Sequence, residues 1–333
     1  MNLLASIPSP SFNSIGPLNL YGLCIALGVV VAVWLFGRRL EKYGFGTADD
    51  ASSIAIWAVL AGVIGARLYH VVTDWEKFED NYGDIPKLWE GGLGIPGGLL
   101  FGIPVGLWMA RSKGIPISVA ATCAAPAIPL AQAIGRWGNY FNQELYGRPT
   151  DLPWALEIDS EHLVAGYEFG TTFHPTFLYE SLWSLGVVAV LLVVERRFKP
   201  GPGSLMGLYL AAYGLGRFWV EALRIDPADE VAGLRWNQWV ALAAVVGGLA
   251  VFLALRSNPW PDAPGLHRED LGDDTLADGV ADGVEMSDND AGHECEVSGE
   301  DDVGAADHET DLDSDPTDPE AILPRSGEGN ATT

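Results

Sequence analysis

The polar segment GRWGNYFNQELYG, residues 135–147, holds the side chains of this chain best suited to chemistry. It contains an arginine, three amide side chains and a carboxylate: Arg136, Asn139, Asn142, Gln143 and Glu144. A long apolar stretch that begins near Ile115 runs directly into this segment, and helical spacing places Arg136, Asn139 and Gln143 on one face. An arginine at the centre of a membrane helix costs about 2.5 to 3.5 kcal/mol. The pattern indicates a polar site at the end of a span, with an ordinary interfacial helix end as the alternative.

A second set of polar side chains lies in and just after the apolar stretch 204–222. Tyr213, Arg217, Glu221 and Arg224 recur at positions i, i+4, i+8 and i+11, which is one helix face. An internal ion pair between Arg217 and Glu221 is one interpretation. The other is that Arg217 joins Arg136 at one depth, because two planar guanidiniums suit the binding of a lipid phosphate.

Composition divides the chain into an apolar body and an acidic tail. The 333 residues are 48% hydrophobic, yet the net charge is -25. Residues 262–333 hold 23 of the 44 Asp and Glu residues and only two Arg, without aromatic side chains. Such a segment cannot bury enough apolar surface to offset chain entropy. We therefore predict a transmembrane catalytic domain over residues 1–261 and a disordered, cytoplasmic acidic tail over residues 262–333.

The body predicts an all-α integral membrane protein of about seven transmembrane helices, because each apolar stretch approaches the roughly 20 residues that cross a bilayer. The predicted spans are Leu18–Phe36, Ala51–Val72, Gly91–Ala110, Ile115–Phe141, Phe177–Val194, Ser204–Ala222 and Trp236–Leu255. No basic residue precedes the first apolar run, so the N-terminus is not expected to be a cleavable signal. Cys24, Cys123 and Cys295 lack the spacing of a disulfide or metal site.

Basic residues predict the orientation of these spans. They follow the first, third, fifth and seventh spans: Arg38, Arg39, Lys42, Arg111, Lys113, Arg196, Arg197, Lys199 and Arg256. The positive-inside rule then places the N-terminus outside and the tail in the cytoplasm. The outer side receives the ends of spans two, four and six, so Arg67, residues 135–147 and Arg217 are expected on one side of the membrane.

The segment 135–147 resembles the G-R-x-G-N-x-x-N-x-E-x-x-G signature of the prolipoprotein diacylglyceryl transferases. All its fixed positions are present: Gly135, Arg136, Gly138, Asn139, Asn142, Glu144 and Gly147. His174-Pro175-Thr176 and Tyr179-Glu180 resemble that family's H-P-[ST]-x-L-Y-E element, and Tyr21-Gly22 matches its Y-G. Histidine exchanges protons near neutral pH, although His174 and Pro175 also fit a helix entry.

The resemblance implies transfer of a diacylglyceryl group from phosphatidylglycerol to the lipobox cysteine of a preprolipoprotein signal peptide, at the outer leaflet of a bacterial cell membrane. It implies catalytic roles for six residues: Arg136, Arg217, Asn139, Glu144, Tyr21 and His174. It implies lipid contacts for Arg136, Asn142, Gly147, Glu221 and Arg224. No cofactor, metal or nucleic acid is expected, since the chain carries no phosphate-binding or dinucleotide glycine motif.

One position departs from the family pattern. Residues 89–98, WEGGLGIPGG, resemble a W-[DE]-G-G-x-x-x-H-G-G stretch, but Pro96 stands where many members have a histidine. That histidine is often assigned as the base for the substrate thiol, which proline cannot be. We therefore expect another route for the thiol proton, with nearby arginines favouring the thiolate and His174 as a candidate acceptor.

A multi-pass transporter or flippase for an anionic lipid or metabolite is the alternative function, since charged groups within membrane spans also suit transport. Transport favours internal repeats and polar groups near the middle of the membrane. The sequence shows no repeat, and its polar groups are expected on one side.

Overall fold

A computed structural model describes residues 6–16, 18–79, 81–87, 91–226 and 228–264 of the chain. Seven α-helices dominate it: α1 Leu20–Tyr43, α2 Ala48–Thr73, α3 Ile95–Ser112, α4 Ile117–Phe141, α5 Thr176–Phe198, α6 Ser204–Leu223 and α7 Trp236–Leu255. Each coincides with one predicted span. Residues 265–333 lie outside the described residues, and the predicted disordered tail therefore stays a prediction.

Five of the described helices are long and apolar enough to cross a membrane, namely α1, α2, α4, α5 and α7. The predicted all-α membrane protein is confirmed at this level, although two of its seven spans fall short. The α3 helix has only 18 residues, four of them glycine and two proline. The α6 helix carries Arg217 and Glu221, which lower its apolar character.

Consecutive helices run antiparallel, so the bundle has two ends. Gly28 on α1 faces Ala131 on α4, and Gly207 on α6 faces Gly248 on α7, each with backbone so close that a Cβ would lie 2.7 to 2.9 Å from a carbonyl oxygen. Small residues at such crossings allow membrane helices to pack by close backbone contact. We call the end where α2, α4 and α6 finish the site end, and the end where α1, α3, α5 and α7 finish the basic end.

Helix α4 lies at the centre of the bundle. Half of its most apolar 18-residue stretch is buried, compared with 17% of the same length in α7. It packs against α1, α5 and α6, although Pro126 and Pro129 remove two backbone donors from its interior. The two most polar positions of its last turns, Arg136 and Asn139, therefore emerge in the middle of the site end.

A small folded layer covers the site end between α4 and α5. Its two-stranded antiparallel sheet joins β3, Leu156–Glu157, to β4, Thr172–Phe173. Tyr146, Leu156, Ile158, Phe173 and Phe177 form a buried apolar cluster beneath it. Ile7 pairs with Leu156, so the N-terminal segment is part of the same layer.

Residues just before and just after the predicted start of the tail pack on the basic end. Trp260 stacks on Tyr43 with ring centroids 4.6 Å apart and donates from its indole nitrogen to Pro200 O. Ala263 contacts the apolar cluster around Leu40. These contacts lie on either side of the predicted boundary at residue 261, which stays a prediction. Cys24 and Cys123 are free thiols, and Cys295 lies outside the described residues.

Candidate functional site

Helices α4, α5 and α6 bring two arginines to one carboxylate at the site end. Arg136 Nη2 lies 2.6 Å from Glu180 Oε2, and Arg217 Nη1 lies 3.9 Å from Glu180 Oε1. The side chains are 22% exposed for Arg136, 16% for Arg217 and 11% for Glu180, so the group is shielded but not sealed. The expected convergence of Arg136 and Arg217 is what the structure shows, whereas Glu180 is an addition to it.

The i,i+4 pair on α6 forms as its spacing indicates and gains a second arginine from α7. Arg217 Nη2 lies 2.6 Å from Glu221 Oε2, and Arg235 Nε lies 3.1 Å from Glu221 Oε1. Asn237 also donates to Glu221 Oε1 at 3.2 Å. Since Glu221 is fully buried, these partners compensate the cost of removing its charge from water. Glu221 therefore fixes the orientation of the Arg217 guanidinium.

Arg224 lies just beyond α6 in a second ion pair. Its Nε is 2.6 Å from Asp226 Oδ1, and Arg235 Nη2 is 3.0 Å from Asp226 Oδ2. Burial opposes ionisation of Asp226, but Arg224 and Arg235 outweigh it and hold the pKa of that carboxyl below its usual range. Arg235 was missing from the sequence-based site, although it directly precedes the apolar run of α7.

The signature segment splits into site residues and scaffold residues. Arg136 Nη1 donates to Asn139 Oδ1 at 3.3 Å, and Asn139 Nδ2 donates to Glu144 Oε1 at 2.7 Å. Glu144 thus acts on Arg136 through Asn139. Asn142 caps the C-terminus of α4. These contacts hold the end of α4 in one conformation around Arg136.

Gln143 does not share the face of Arg136, contrary to the helical spacing. Helix α4 ends at Phe141, and Gln143 adopts a left-handed backbone conformation with φ of 50°. Its side chain turns to Asp159, donating to Oδ2 at 2.6 Å and accepting from the backbone N–H at 2.8 Å. Hydrogen bonds from Ser9 and Gln143 lower the pKa of Asp159. Gln143 therefore anchors the covering layer.

Gly147 joins the signature segment to two helices. It donates to His174 O at 2.9 Å and pairs with Arg224 in an antiparallel bridge. A Cβ at this position would lie 2.8 Å from the His174 Cβ and 3.2 Å from Leu223 O. Glycine is needed here because the backbones approach so closely. This contact sets the covering layer against the ends of α5 and α6.

Tyr21 packs directly on the signature segment. A Cβ on Gly138 would lie 2.7 Å from Tyr21 Cδ2, so the ring rests against the α4 backbone beside Asn139. Arg136 and Glu144 both act electrostatically on its hydroxyl. Tyr21 therefore lies beside the last turns of α4, and its catalytic role stays a prediction.

His174 lies in a different set of contacts. Its Nδ1 is 3.1 Å from the hydroxyl of Tyr179, which also accepts from Trp154 Nε1 at 2.9 Å. Burial lowers the pKa of His174 below its ordinary value, which favours the neutral ring at pH 7. None of its described hydrogen bonds or ion pairs reaches Arg136 or Arg217. The structure thus brings His174 to the site end but not to the arginines.

Arg67 serves the loop between α2 and α3. Its guanidinium donates to four backbone carbonyls, those of Asp84, Ile85, Gly91 and Gly92, at 2.6 to 3.1 Å. Pro96 occupies the first turn of α3, just after this loop. Arg67 lies on the predicted side of the bundle, and its contacts make it a scaffold residue.

An apolar groove lies along one face of α5. It has a volume of about 520 Å³ and runs between α5 and α6 from Tyr179 to Val190, with Trp183, Ala212 and Trp219 among its walls. Its lining includes none of the three ion-paired residues Arg136, Glu180 and Arg217.

Comparison with known proteins agrees with this geometry. The family model described as prolipoprotein diacylglyceryl transferase matches residues 10–254. The phosphatidylglycerol–prolipoprotein diacylglyceryl transferase 1 of Streptomyces coelicolor is 49% identical over 269 residues, which cover 78% of this chain and 77% of that protein. The phosphatidylglycerol–prolipoprotein diacylglyceryl transferase of Streptomyces griseus is 50% identical over 252 residues, which cover 73% of this chain and 75% of that protein. The Cutibacterium acnes relative is 47% identical over 75% and 87%.

Proposed function

We propose that this chain, which belongs to the prolipoprotein diacylglyceryl transferase family, transfers the diacylglyceryl group of phosphatidylglycerol to the cysteine thiol of preprolipoproteins. A thioether forms and glycerol phosphate leaves, as the first step of lipoprotein maturation. The observation that carries this proposal is the pair of guanidiniums that α4 and α6 bring to one place at the end of a membrane helix bundle.

Arg136 and Arg217 bind the phosphate of the lipid in this proposal. Each guanidinium offers a planar fork of donors, and two of them neutralise the charge that grows on the leaving phosphate. Glu221 and Arg235 fix Arg217, while Asn139 and Glu144 fix Arg136. Asn139 and Asn142 supply amide groups for the glycerol oxygens. No cofactor takes part.

The diacylglyceryl part of the lipid extends from the arginines toward the apolar interior. The apolar groove from Tyr179 to Val190 on α5 is a candidate path for one acyl chain. The carbon that joins this part to the phosphate then lies next to Arg136 and Arg217. The signal peptide presents its lipobox cysteine to that carbon from the covering layer.

The site end faces the outer leaflet of a bacterial plasma membrane in this proposal. Basic residues gather at the opposite end of the helices, as a cytoplasmic end requires. Preprolipoproteins and phosphatidylglycerol both reach an outer-leaflet site by diffusion in the membrane. A transporter is less suitable, because the ion pairs lie at helix ends rather than at mid-membrane.

The test uses the purified protein in detergent with a lipobox peptide and phosphatidylglycerol labelled separately in its acyl chains and in its headgroup glycerol. We expect acyl label on the peptide and headgroup label in free glycerol phosphate, in equal amounts. A cysteine-to-serine peptide is the control. Acyl label that leaves the lipid without reaching the peptide thiol would contradict the proposal, and so would lipid movement across vesicles without modification of the peptide.

A further inference from the structure

Glu180 differs from the other carboxylates of the site end in its partners. Its described ion pairs are both to the two arginines that the proposed function assigns to the lipid phosphate, Arg136 and Arg217. Without substrate, its carboxylate occupies the position between the guanidiniums that a phosphate would take. A phosphate held by both forks would use the Nη donors of Arg136 and Arg217 that face Glu180, and so displace its carboxylate.

The remaining carboxylates keep partners of their own when a phosphate binds. Glu221 retains Arg235 and Asn237, and Asp226 retains Arg224 and Arg235. Glu144 is held by the amide of Asn139. In the contacts that the structure describes, binding of the lipid phosphate therefore leaves Glu180, rather than its neighbours, without compensation.

Charge balance points the same way. The described cluster contains four arginines, Arg136, Arg217, Arg224 and Arg235, and four carboxylates, Glu144, Glu180, Glu221 and Asp226. A bound phosphodiester adds one negative charge to this balanced, largely buried group. A proton on Glu180 offsets that charge locally, between the two arginines, and the cysteine thiol of the second substrate carries a proton that must leave as its sulfur attacks.

We propose that Glu180 is the group that accepts the thiol proton, and that binding of the lipid phosphate to Arg136 and Arg217 frees it to do so. This role rests on the proposed function and supplies the base that Pro96 cannot be. It also orders the reaction, since the acceptor becomes available only after the lipid is in place.

The step balances without any added reactant. The thiol proton passes from Sγ to a Glu180 carboxylate oxygen, and sulfur forms a bond to the terminal glyceryl carbon. The bond between that carbon and the phosphate oxygen breaks, and its electron pair leaves with glycerol phosphate. Glu180 then gives the proton to the leaving phosphate and returns to its ion pairs with Arg136 and Arg217.

The experiment compares two peptides that differ in one atom, a lipobox cysteine peptide and its selenocysteine analogue. A selenol is already ionised at neutral pH and needs no base. We expect Glu180→Gln to lower turnover of the cysteine peptide by about 10²- to 10⁴-fold, the usual contribution of general base catalysis. On the selenocysteine peptide the loss should be at least tenfold smaller. With cysteine, the variant's rate should rise about tenfold per pH unit as hydroxide forms the thiolate.

Glu221→Gln is the matched control, since it also removes a buried carboxylate from Arg217 but keeps the proposed acceptor. Its losses should be equal on the two peptides. Glu180→Ser also removes the carboxylate and serves if Glu180→Gln does not fold, with the same preference for selenocysteine expected. Equal losses on both peptides in a folded Glu180 variant would overturn the proton role. Failure of the wild type on both peptides would instead reject the proposed function.

Discussion

Both ends of the helix bundle bury an arginine against a glutamate, but the two ends differ in how many of the arginine's N–H donors have protein acceptors. At the basic end, Arg39 Nη1 lies 2.7 Å from Glu195 Oε2, while its Nε and Nη2 donate to Cys123 O and Thr122 O at 3.1 and 3.2 Å. Every guanidinium nitrogen of Arg39 thus has a fixed acceptor. The side chain is 5% exposed, and Tyr43 also donates to Glu195.

At the site end, Arg136 and Arg217 have N–H donors that their described protein partners do not use. They share Glu180, and the Arg217 contact is long at 3.9 Å. Both side chains are more than three times as exposed as that of Arg39. A guanidinium has five N–H donors, so neither arginine is saturated by its described partners. Full saturation by protein groups identifies a structural arginine, whereas spare donors identify one that is available to a ligand.

Removal of Arg217 is expected to have the largest effect on activity. Arg217→Ala should lower turnover by about 10²- to 10³-fold, the usual effect of deleting one donor to developing negative charge. The measurement is initial rate of diacylglyceryl transfer at saturating lipid, with the unfolding midpoint in detergent as control. A folded variant with near-normal turnover would show that the two ends do not differ as we describe.

Removal of Arg39 should instead affect stability. Arg39→Leu leaves Glu195 buried without its main partner, which costs about 3 to 5 kcal/mol of unfolding free energy. Turnover by the folded fraction should remain normal, because all the proposed substrate contacts lie at the site end. The double variant Arg39→Leu/Glu195→Leu should recover part of the loss. A normal unfolding midpoint in Arg39→Leu would contradict the structural role.

His174 should have a smaller effect, through pH. Burial depresses its pKa in the folded protein, so its contribution to stability is present above the unfolded pKa of about 6.5 and is lost as pH falls through the folded value. His174→Gln should therefore make the protein less sensitive to acid. Turnover of His174→Ala should fall by less than about tenfold, and its transfer rate should still decrease toward acid pH as in the wild type. If the transfer rate of the variant no longer decreased at acid pH, His174 would be the group that accepts the thiol proton.

The tail should matter least. Truncation after Pro264 removes 22 of the 44 acidic residues but keeps Trp260 on Tyr43 and Ala263 on the Leu40 cluster. Transfer activity in membranes should stay within about twofold, since a chain of this composition contributes no core. Trp260→Ala is the contrasting variant and should lower the unfolding midpoint. A folded but inactive truncation would contradict the prediction that residues 1–261 carry the chemistry.

Hydrophobic periodicity and length were sufficient to locate all seven helices. Apolar runs near 20 residues have few other uses, and α7 was predicted with its observed bounds. The helix ends were less predictable. Helix α1 continues through Arg38, Arg39 and Lys42 to a glycine cap at Gly44, because these long side chains reach polar groups without ending the helix.

The arginine pair was predictable because Arg136 and Arg217 both follow long apolar runs on the same side of the bundle. Glu180 was assigned to that side only by the family resemblance, since one glutamate in the first turns of a span has many uses. Arg235 was missed because its partner Glu221 lies 14 residues away across a turn, beyond the reach of helical spacing. Arg67 binds carbonyl oxygens, which every residue possesses and no sequence pattern marks.

The central claim, that Arg136 and Arg217 form the phosphate site of the lipid, is tested most directly by binding without chemistry. A phosphatidylglycerol analogue with a methylene in place of the oxygen that would leave keeps its phosphonate charge but cannot react. We predict that Arg136→Lys raises its dissociation constant at least tenfold, about 1.4 kcal/mol, because a point charge replaces a planar fork. Arg39→Lys at the basic end should leave it unchanged. Equal affinity for the analogue in wild type and Arg136→Lys would contradict the claim.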